Sequence, residues 1–274
     1  MCIRDSTTDV ENFPGFPDGV MGPDMMDLFR NQAKKFGAEC HFKHVTKVDL
    51  TSKPYKVFVG EEMFLSDTVI ISTGASARML GLEEEEQLMG YGISTCATCD
   101  GYFFKEKNIV VVGGGDSAME EASFLTKFAK KVTIIHRREV FKASKIMLDR
   151  VRNNPLIDII VNKSIESING NQQDGISNIV LKDTVSGETS TFECEGVFYG
   201  IGHTPNTDLF KGMIDLNDNG YIITQSDSSL TNIPGVFACG DVQDDHYRQA
   251  ITAAGSGCMA AIDAEKYLEE NIIE

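Results

Sequence analysis

The sequence predicts an α/β chain of two domains, one inserted into the other. Three observations carry that expectation. A glycine loop, Gly113-Gly114-Gly115, stands between an apolar run and an amphipathic helical pattern. The 274 residues leave room for two medium-sized cores. Breaks at Thr73-Gly74-Ala75 and Gly200-Ile201-Gly202 set off a middle block, with hinges expected near Gly74 and Gly200.

Residues 24–36 read as a helix. Met25, Leu28, Phe29, Ala33 and Phe36 recur at helical spacing, and Gly37 suits the position just past its end. Runs at 43–50, 56–59 and 68–72 read as short strands, the last leading into Thr73-Gly74. Glu83 to Glu86 form an acidic run that reads as a solvated loop face. Residues 108–112 are an apolar strand, 117–130 an amphipathic helix and 132–136 the next strand. That is a strand–helix–strand unit of about the ~30 residues such a unit needs. A helix at 141–152 and a strand at 157–161 follow, then short strands at 165–168, 176–181, 189–194 and 196–199. The tail offers a strand at 221–224, then Val236-Phe237-Ala238 running into Gly240-Asp241, and a small-residue helix at 249–268.

Composition narrows the function classes. Hydrophobic residues make up 42% and charged residues 24%, which suits a globular chain. No apolar run approaches the ~20 residues of a membrane span, so no membrane partner is expected. The net charge of −16 argues against nucleic acid, which wants a basic patch. The seven cysteines are odd in number, only Cys96 and Cys99 are close in sequence, and no secretory signal is visible. A reducing cytoplasm is the expected compartment.

Gly113-x-Gly115-x-x-Ala118 has the pattern of a dinucleotide loop. Gly113 permits the tight turn, Gly115 lets the backbone approach a pyrophosphate, and Ala118 permits close helix–strand packing. Asp116 and Ser117 open the helix whose N–H groups would face the phosphates. Glycine-rich turns are common, and it is the strand and helix around this one that favour a nucleotide. An NAD site wants an acid at the end of the second strand. Here that strand ends in His136-Arg137-Arg138, with Lys142 nearby as a helper. Two guanidiniums suit a ribose 2′-phosphate, hence NADPH. A charged surface turn is the plainer alternative.

Cys96-Ala97-Thr98-Cys99 can carry two electrons as a dithiol. At a helix start one thiol's pKa is lowered, its thiolate attacks a disulfide, and the second cysteine resolves the mixed disulfide. Asp100 is placed to handle the accompanying proton. The competing reading is half of a zinc site, which would need another close Cys/His pair at ligand spacing; Cys40-His41 is adjacent rather than spaced, and no second C-x-x-C exists. No metal is expected. A nicotinamide gives hydride and a disulfide takes electrons, and a flavin is the usual relay. Gly240-Asp241, after the strand-like Val236–Ala238, could hold a ribityl chain; a turn that merely caps a helix is the alternative.

Together these segments resemble the low-molecular-weight, bacterial-type thioredoxin reductases. The resemblance runs from Thr7 onward. It is carried by Val10-Glu11-Asn12-Phe13-Pro14-Gly15, Ser72-Thr73-Gly74-Ala75, Cys96-Ala97-Thr98-Cys99-Asp100-Gly101, the Gly113 loop, and His136-Arg137-Arg138. Gly202-His203-x-Pro205-Asn206, Gly235–Asp241 and Tyr247-Arg248-Gln249-Ala250 continue it. The dithiol lies just ahead of the second glycine loop, unlike in the glutathione-reductase type. The resemblance implies two Rossmann-like, three-layer domains, with an NADPH domain at 77–200 inserted into an FAD domain formed by 1–76 and 201–274. It implies a homodimer that reduces thioredoxin with NADPH through FAD. It also implies flavin contacts at Asn12, Thr73, Gly74, Gly240, Asp241, Arg248, Gln249 and Ala250, a redox pair at Cys96 and Cys99, and a proton donor at Asp100.

One departure sets a further expectation. The family opens with a strand and a glycine loop for the FAD pyrophosphate, and nothing before residue 74 supplies them. The first FAD-binding strand and loop are therefore expected to be missing, with Met1–Ser6 a candidate foreign segment and little FAD retained. Two alternatives stay open: a non-catalytic nucleotide-binding fragment, and a related flavin disulfide reductase serving another protein partner.

Overall fold

A computed structural model describes residues 9–10 and 12–271. Met1–Ser6, Cys2 and Glu11 lie outside the described residues. The chain forms two compact units, one reaching to Ser76 and resuming at Thr204, the other spanning Ala77–His203.

The Ala77–His203 unit is built on a five-stranded parallel sheet. Its order is Ile157–Val161, Lys131–His136, Asn108–Val112, Gly196–Tyr199 and Ile93–Ser94. The apolar run of Asn108–Val112 makes it a central strand buried on both faces. Alternation then divides its side chains. Ile109 and Val111 join Val132, Ile134 and Phe198 against the helices, meeting Ala118, Met119, Ala122, Leu125 and Val151. Val110, Val112, Ile135, Val197 and Tyr199 point the other way. There they meet Ile165, Ile168, Ile176, Ile179 and Leu181 of an antiparallel sheet, Lys163–Asn171, Gly175–Asp183 and Thr189–Glu193. The three layers are thus helices, parallel sheet and antiparallel sheet.

Several boundaries differ from expectation. The helix expected from residue 141 starts at Lys145. The N–H groups of Lys142 and Ala143 are spent on the carbonyl of Gly114, at 2.8 and 3.1 Å, and Ser144 then caps the helix. The helix expected to reach residue 130 is Asp116–Leu125. Glu85 is buried rather than solvated: its carboxylate accepts the N–H groups of Leu80 (2.8 Å) and Gly81 (3.1 Å).

In the other unit, Val69–Ile71 and Val236–Ala238 pair in parallel. Lys47–Asp49, Tyr55–Val59 and Glu62–Ser66 form an antiparallel sheet. Val48, Leu50, Tyr55, Ile71, Phe210, Val236 and Ala238 share one core. Phe237 and Cys239 face the opposite way, onto Ala260 and Ala264 of the helix Ala250–Asn271. The helix Gly22–Lys35 ends as predicted. Gly37, at φ +91°, donates to Lys34 and Ala38 donates to Ala33, a Schellman closure. Its apolar spacing, however, buries only Met25 among the side chains of that helix, and Leu28 is exposed. Residues 221–224 form no strand; Ile222 makes a single bridge with Leu216.

Candidate functional site

The dithiol and the glycine loop belong to the Ala77–His203 unit. The edge strand Ile93–Ser94 delivers the chain into a helix of one turn, Ala97–Asp100, with Cys96 as its N-cap. Cys96 and Cys99 are joined in a disulfide, Cα atoms 5.3 Å apart. The Cys96 carbonyl accepts the N–H groups of Cys99 (3.2 Å) and Asp100 (3.1 Å). The helix start expected to activate a thiol is thus one turn only, continued by the 3-10 turn Gly101–Phe104. Asp100 turns its carboxyl back to the strand, where Oδ2 accepts the Ser94 hydroxyl at 2.6 Å. Burial pushes the Asp100 carboxyl up from its ordinary value, and the Ser94 hydrogen bond opposes that rise.

The glycine loop runs from Val112 into the helix Asp116–Leu125. A methyl group on Gly113 would collide with the Gly200 carbonyl and stand 2.6 Å from Ala118 Cβ, whereas nothing lies within 4 Å of Gly115. The loop is therefore packed on its inner side and open at Gly115, as a phosphate requires. Ala118 is buried and Ser117 exposed at the helix mouth. Asp116 points away from that task, its Oδ1 accepting the Ser144 N–H at 2.7 Å. The His136 ring sits against Gly114, stacks on Phe141 with centroids 4.7 Å apart, and bonds the Val140 carbonyl at 3.2 Å. Burial, together with Arg137 and Arg138, holds its pKa down. The His136 ring supports the loop by packing. Arg137, Arg138 and Lys142 are exposed, and the Thr184 hydroxyl anchors the Arg137 carbonyl at 3.1 Å.

The expected flavin contacts fall in the other unit. Thr73-Gly74 and Gly240-Asp241 follow the two parallel strands Val69–Ile71 and Val236–Ala238. Both pairs thus stand at the carboxyl edge of one parallel sheet, where nucleotides bind in open α/β sheets. The Thr73 hydroxyl donates to the Asn206 carbonyl (2.7 Å), and Asn206 Nδ2 returns a bond to the Thr73 carbonyl (2.9 Å). Gly74 and Gly240 take left-handed φ angles of +71° and +72°. Asn12 Nδ2 donates to Gln249 Oε1 at 2.9 Å, so the start and the tail of the chain meet here. Arg248 has φ +50° and its guanidinium bonds the Asp245 carbonyl. Ala250 begins the long helix. The open Gly74, the left-handed Gly240 and the polar set of Asn12, Thr73, Asp241, Arg248 and Gln249 fit an FAD.

Four residues hold these groups, and the sequence reading gave none of them a role. Asp244 accepts the N–H groups of His246, Tyr247 and Arg248. Asn206 locks Thr73, Ser144 ties the second loop to Asp116, and Ser94 meets Asp100. Only Asn206 had a signal, in the Pro205-Asn206 segment.

Comparison with known proteins matches residues 6–257 to the pyridine nucleotide-disulphide oxidoreductase family. A thioredoxin reductase of Mycolicibacterium smegmatis is 51% identical over 265 residues, covering 97% of this chain and 85% of the relative. One from Streptomyces clavuligerus is 53% identical, covering 96% and 81%. The solved structure of a thioredoxin reductase from Giardia duodenalis superposes with a TM-score of 0.90 at 41% identity, covering 97% of this chain and 87% of that one.

Proposed function

This chain belongs to the pyridine nucleotide-disulphide oxidoreductase family, among the thioredoxin reductases, and on that premise we propose roles for its residues in the NADPH-dependent reduction of a thioredoxin disulfide. The observation that carries the reading is the Cys96–Cys99 disulfide on one turn, with Asp100 beside it, in the same unit as an open glycine loop. FAD, when bound, supplies the two-electron relay between NADPH and that disulfide.

The Ala77–His203 unit, expected as 77–200, holds NADPH. Gly113, Gly115 and Ser117 receive the pyrophosphate at the helix mouth, with Asp116 and His136 bracing the loop. Arg137 and Arg138 grip the 2′-phosphate, and Lys142 assists. The other unit, expected as 1–76 and 201–274, holds FAD through Asn12, Thr73, Gly74, Gly240, Asp241, Arg248, Gln249 and Ala250.

In the reduced dithiol one sulfur, as thiolate, attacks the substrate disulfide. One S–S bond breaks, a mixed disulfide forms, and the departing substrate sulfur takes a proton from Asp100. The second cysteine then gives its proton to the Asp100 carboxylate, attacks the mixed disulfide, restores the Cys96–Cys99 bond and releases the second substrate sulfur as a thiolate. Two electrons leave the dithiol and two enter the substrate.

We further propose that the chain acts as a homodimer in the cytoplasm and binds neither nucleic acid nor membrane. The family supports the dimer and the cysteine usage supports the compartment. The charge of −16 speaks against nucleic acid, and among the described residues no helix is long and apolar enough to cross a membrane. The testing variant is Cys99→Ser in the FAD-loaded protein. Reduction of thioredoxin is expected to vanish while NADPH still bleaches the flavin; thioredoxin turnover that survives rejects the dithiol mechanism.

A further inference from the structure

Ser94 has no place in the motifs, yet its hydroxyl is the joint between the strand end and the dithiol turn. It is buried, at 2% exposure, at the end of Ile93–Ser94. Three polar atoms converge on Oγ. Asp100 Oδ2 stands at 2.6 Å, the Cys96 N–H donates to it at 3.1 Å, and the Cys96 carbonyl oxygen lies at 3.4 Å. Both backbone atoms belong to the first redox cysteine.

We propose that Ser94 is a positioning residue for proton transfer at the dithiol, holding the Asp100 carboxyl to the backbone of Cys96 in both of its protonation states. The inference rests on the reading of Asp100 as proton donor. When Asp100 is a carboxylate, the Ser94 hydrogen points to Oδ2. When Asp100 is protonated, its O–H donates to Ser94 Oγ, and the Ser94 hydrogen turns to the Cys96 carbonyl. The Cys96 N–H stays bonded to Oγ throughout. In the transfer itself one proton leaves the Asp100 carboxyl for a departing thiolate, and no electrons accompany it. The carboxylate left behind is partly buried, and a hydrogen bond to a buried anion is worth more than one between neutral groups. An unpartnered carboxyl there would be free to turn away.

The surroundings leave Ser94 as the group that tunes Asp100. The causes acting on its carboxyl are burial, which raises it, and Ser94, which lowers it. The dithiol turn packs on the helix Asp116–Leu125 and on the turn Gly101–Phe104. Their titratable side chains are Asp116, Glu120, Glu121 and Tyr102.

The test reads the dithiol without any cofactor. The protein is reduced with dithiothreitol and alkylated with iodoacetamide across a pH series. The rate is followed by mass on the tryptic peptide of residues 79–105, whose cysteines are Cys96 and Cys99. With Asp100 as the proton donor to the dithiol, the wild-type profile is expected to carry an inflection that Asp100→Asn removes. In Ser94→Ala that inflection is expected to move up by about one pH unit, the difference between a charge-assisted hydrogen bond and a neutral one. Ser94→Thr, which keeps the hydroxyl, is expected to restore it. Ser94→Gly replaces the alanine variant should that one lose its native circular dichroism. A Ser94→Ala or Ser94→Gly profile identical to wild type, with Asp100→Asn still altered, overturns the proposal and leaves the Asp100 reading standing. A wild-type profile in Asp100→Asn as well overturns both.

Discussion

Gly200 packs directly on Ala118: a methyl group on Gly200 would stand 2.8 Å from the Cα of Ala118 and 2.9 Å from its Cβ. Gly113 shares the contact from the neighbouring strand end. The three small residues are one packing solution. They let the helix Asp116–Leu125 seat its N-terminus flush on the sheet, so that its free N–H groups reach the loop instead of being lifted by a side chain.

The two outer glycines of the loop should therefore fail in different ways. Gly113→Ala forces a Cβ into backbone at φ +156°. Overpacking of this kind costs about 2 kcal/mol, so the thermal midpoint should fall by roughly 4–8 °C. Gly115→Ala meets open space at φ −104°, and its stability should stay within about 0.5 kcal/mol of wild type. In the proposed NADPH site its methyl would instead fill the place of a phosphate, so NADPH affinity should drop while the midpoint holds. Thermal melts and NADPH titrations of both variants check the split.

Arg137→Ala combined with Arg138→Ala separates the two nicotinamides. Charge-assisted bonds to a phosphate are worth about 1.5–3 kcal/mol each, so the KM for NADPH should rise by about a hundredfold or more. The KM for NADH, which lacks the 2′-phosphate, should change several-fold at most. Steady-state kinetics with both donors decides; an equal rise in the two rejects the phosphate assignment.

Local chemistry was legible in the sequence, and contacts between segments were not. The four residues of the Cys96–Cys99 turn declare a dithiol by themselves, and the apolar run to Val112 followed by three glycines declares a nucleotide loop. The start of the helix at Lys145 was hidden because periodicity records side-chain spacing, while the N–H groups of Lys142 and Ala143 are consumed by Gly114. Glu62–Ser66 escaped as a strand because its apolar residues occupy both parities: Met63 and Leu65 are exposed and Phe64 turns inward. The burial of Glu85 depends on two N–H groups four and five residues upstream that no charge pattern reports. Ser94 and Asp100 meet because a strand end and a helical turn fold back over six residues, a relationship with no spacing rule.

The free cysteines among the described residues should divide by burial. Burial pushes the Cys194 thiol up to about 12 and raises Cys239 as well, whereas Cys40 and Cys258 are exposed. The thiolate is the reactive form, and at pH 8 a thiol of that pKa holds about one part in ten thousand of it. Iodoacetamide on the native, unreduced protein should label Cys40 and Cys258 and spare Cys194 and Cys239, with Cys96 and Cys99 protected until reduction. Peptide mass mapping reads the pattern. Labelling of Cys194 at the rate of Cys258 contradicts the buried placement.

Asp100 should cost the fold stability at neutral pH, and Asp100→Asn should reveal that cost. Burial raises the folded-state pKa of this carboxyl above its unfolded value. Below the unfolded value of about 3.9 both states are protonated and there is no penalty. As the pH climbs, the unfolded chain ionises first, so the folded state binds more protons and its stability falls. The loss is complete once the pH passes the raised folded value. Asparagine keeps a carbonyl oxygen for the Ser94 hydroxyl at the same place and carries no charge to desolvate. The thermal midpoint of Asp100→Asn should therefore exceed that of wild type at pH 8, with the two converging toward pH 4. With the carboxyl in its proposed role as proton source, the more stable variant should be the slower one in thioredoxin reduction. Melting curves at pH 4, 6 and 8 measure the trend. A difference that is constant across them, or that reverses sign, shows that the carboxyl ionises without strain, and the proton-donor role then loses its physical basis.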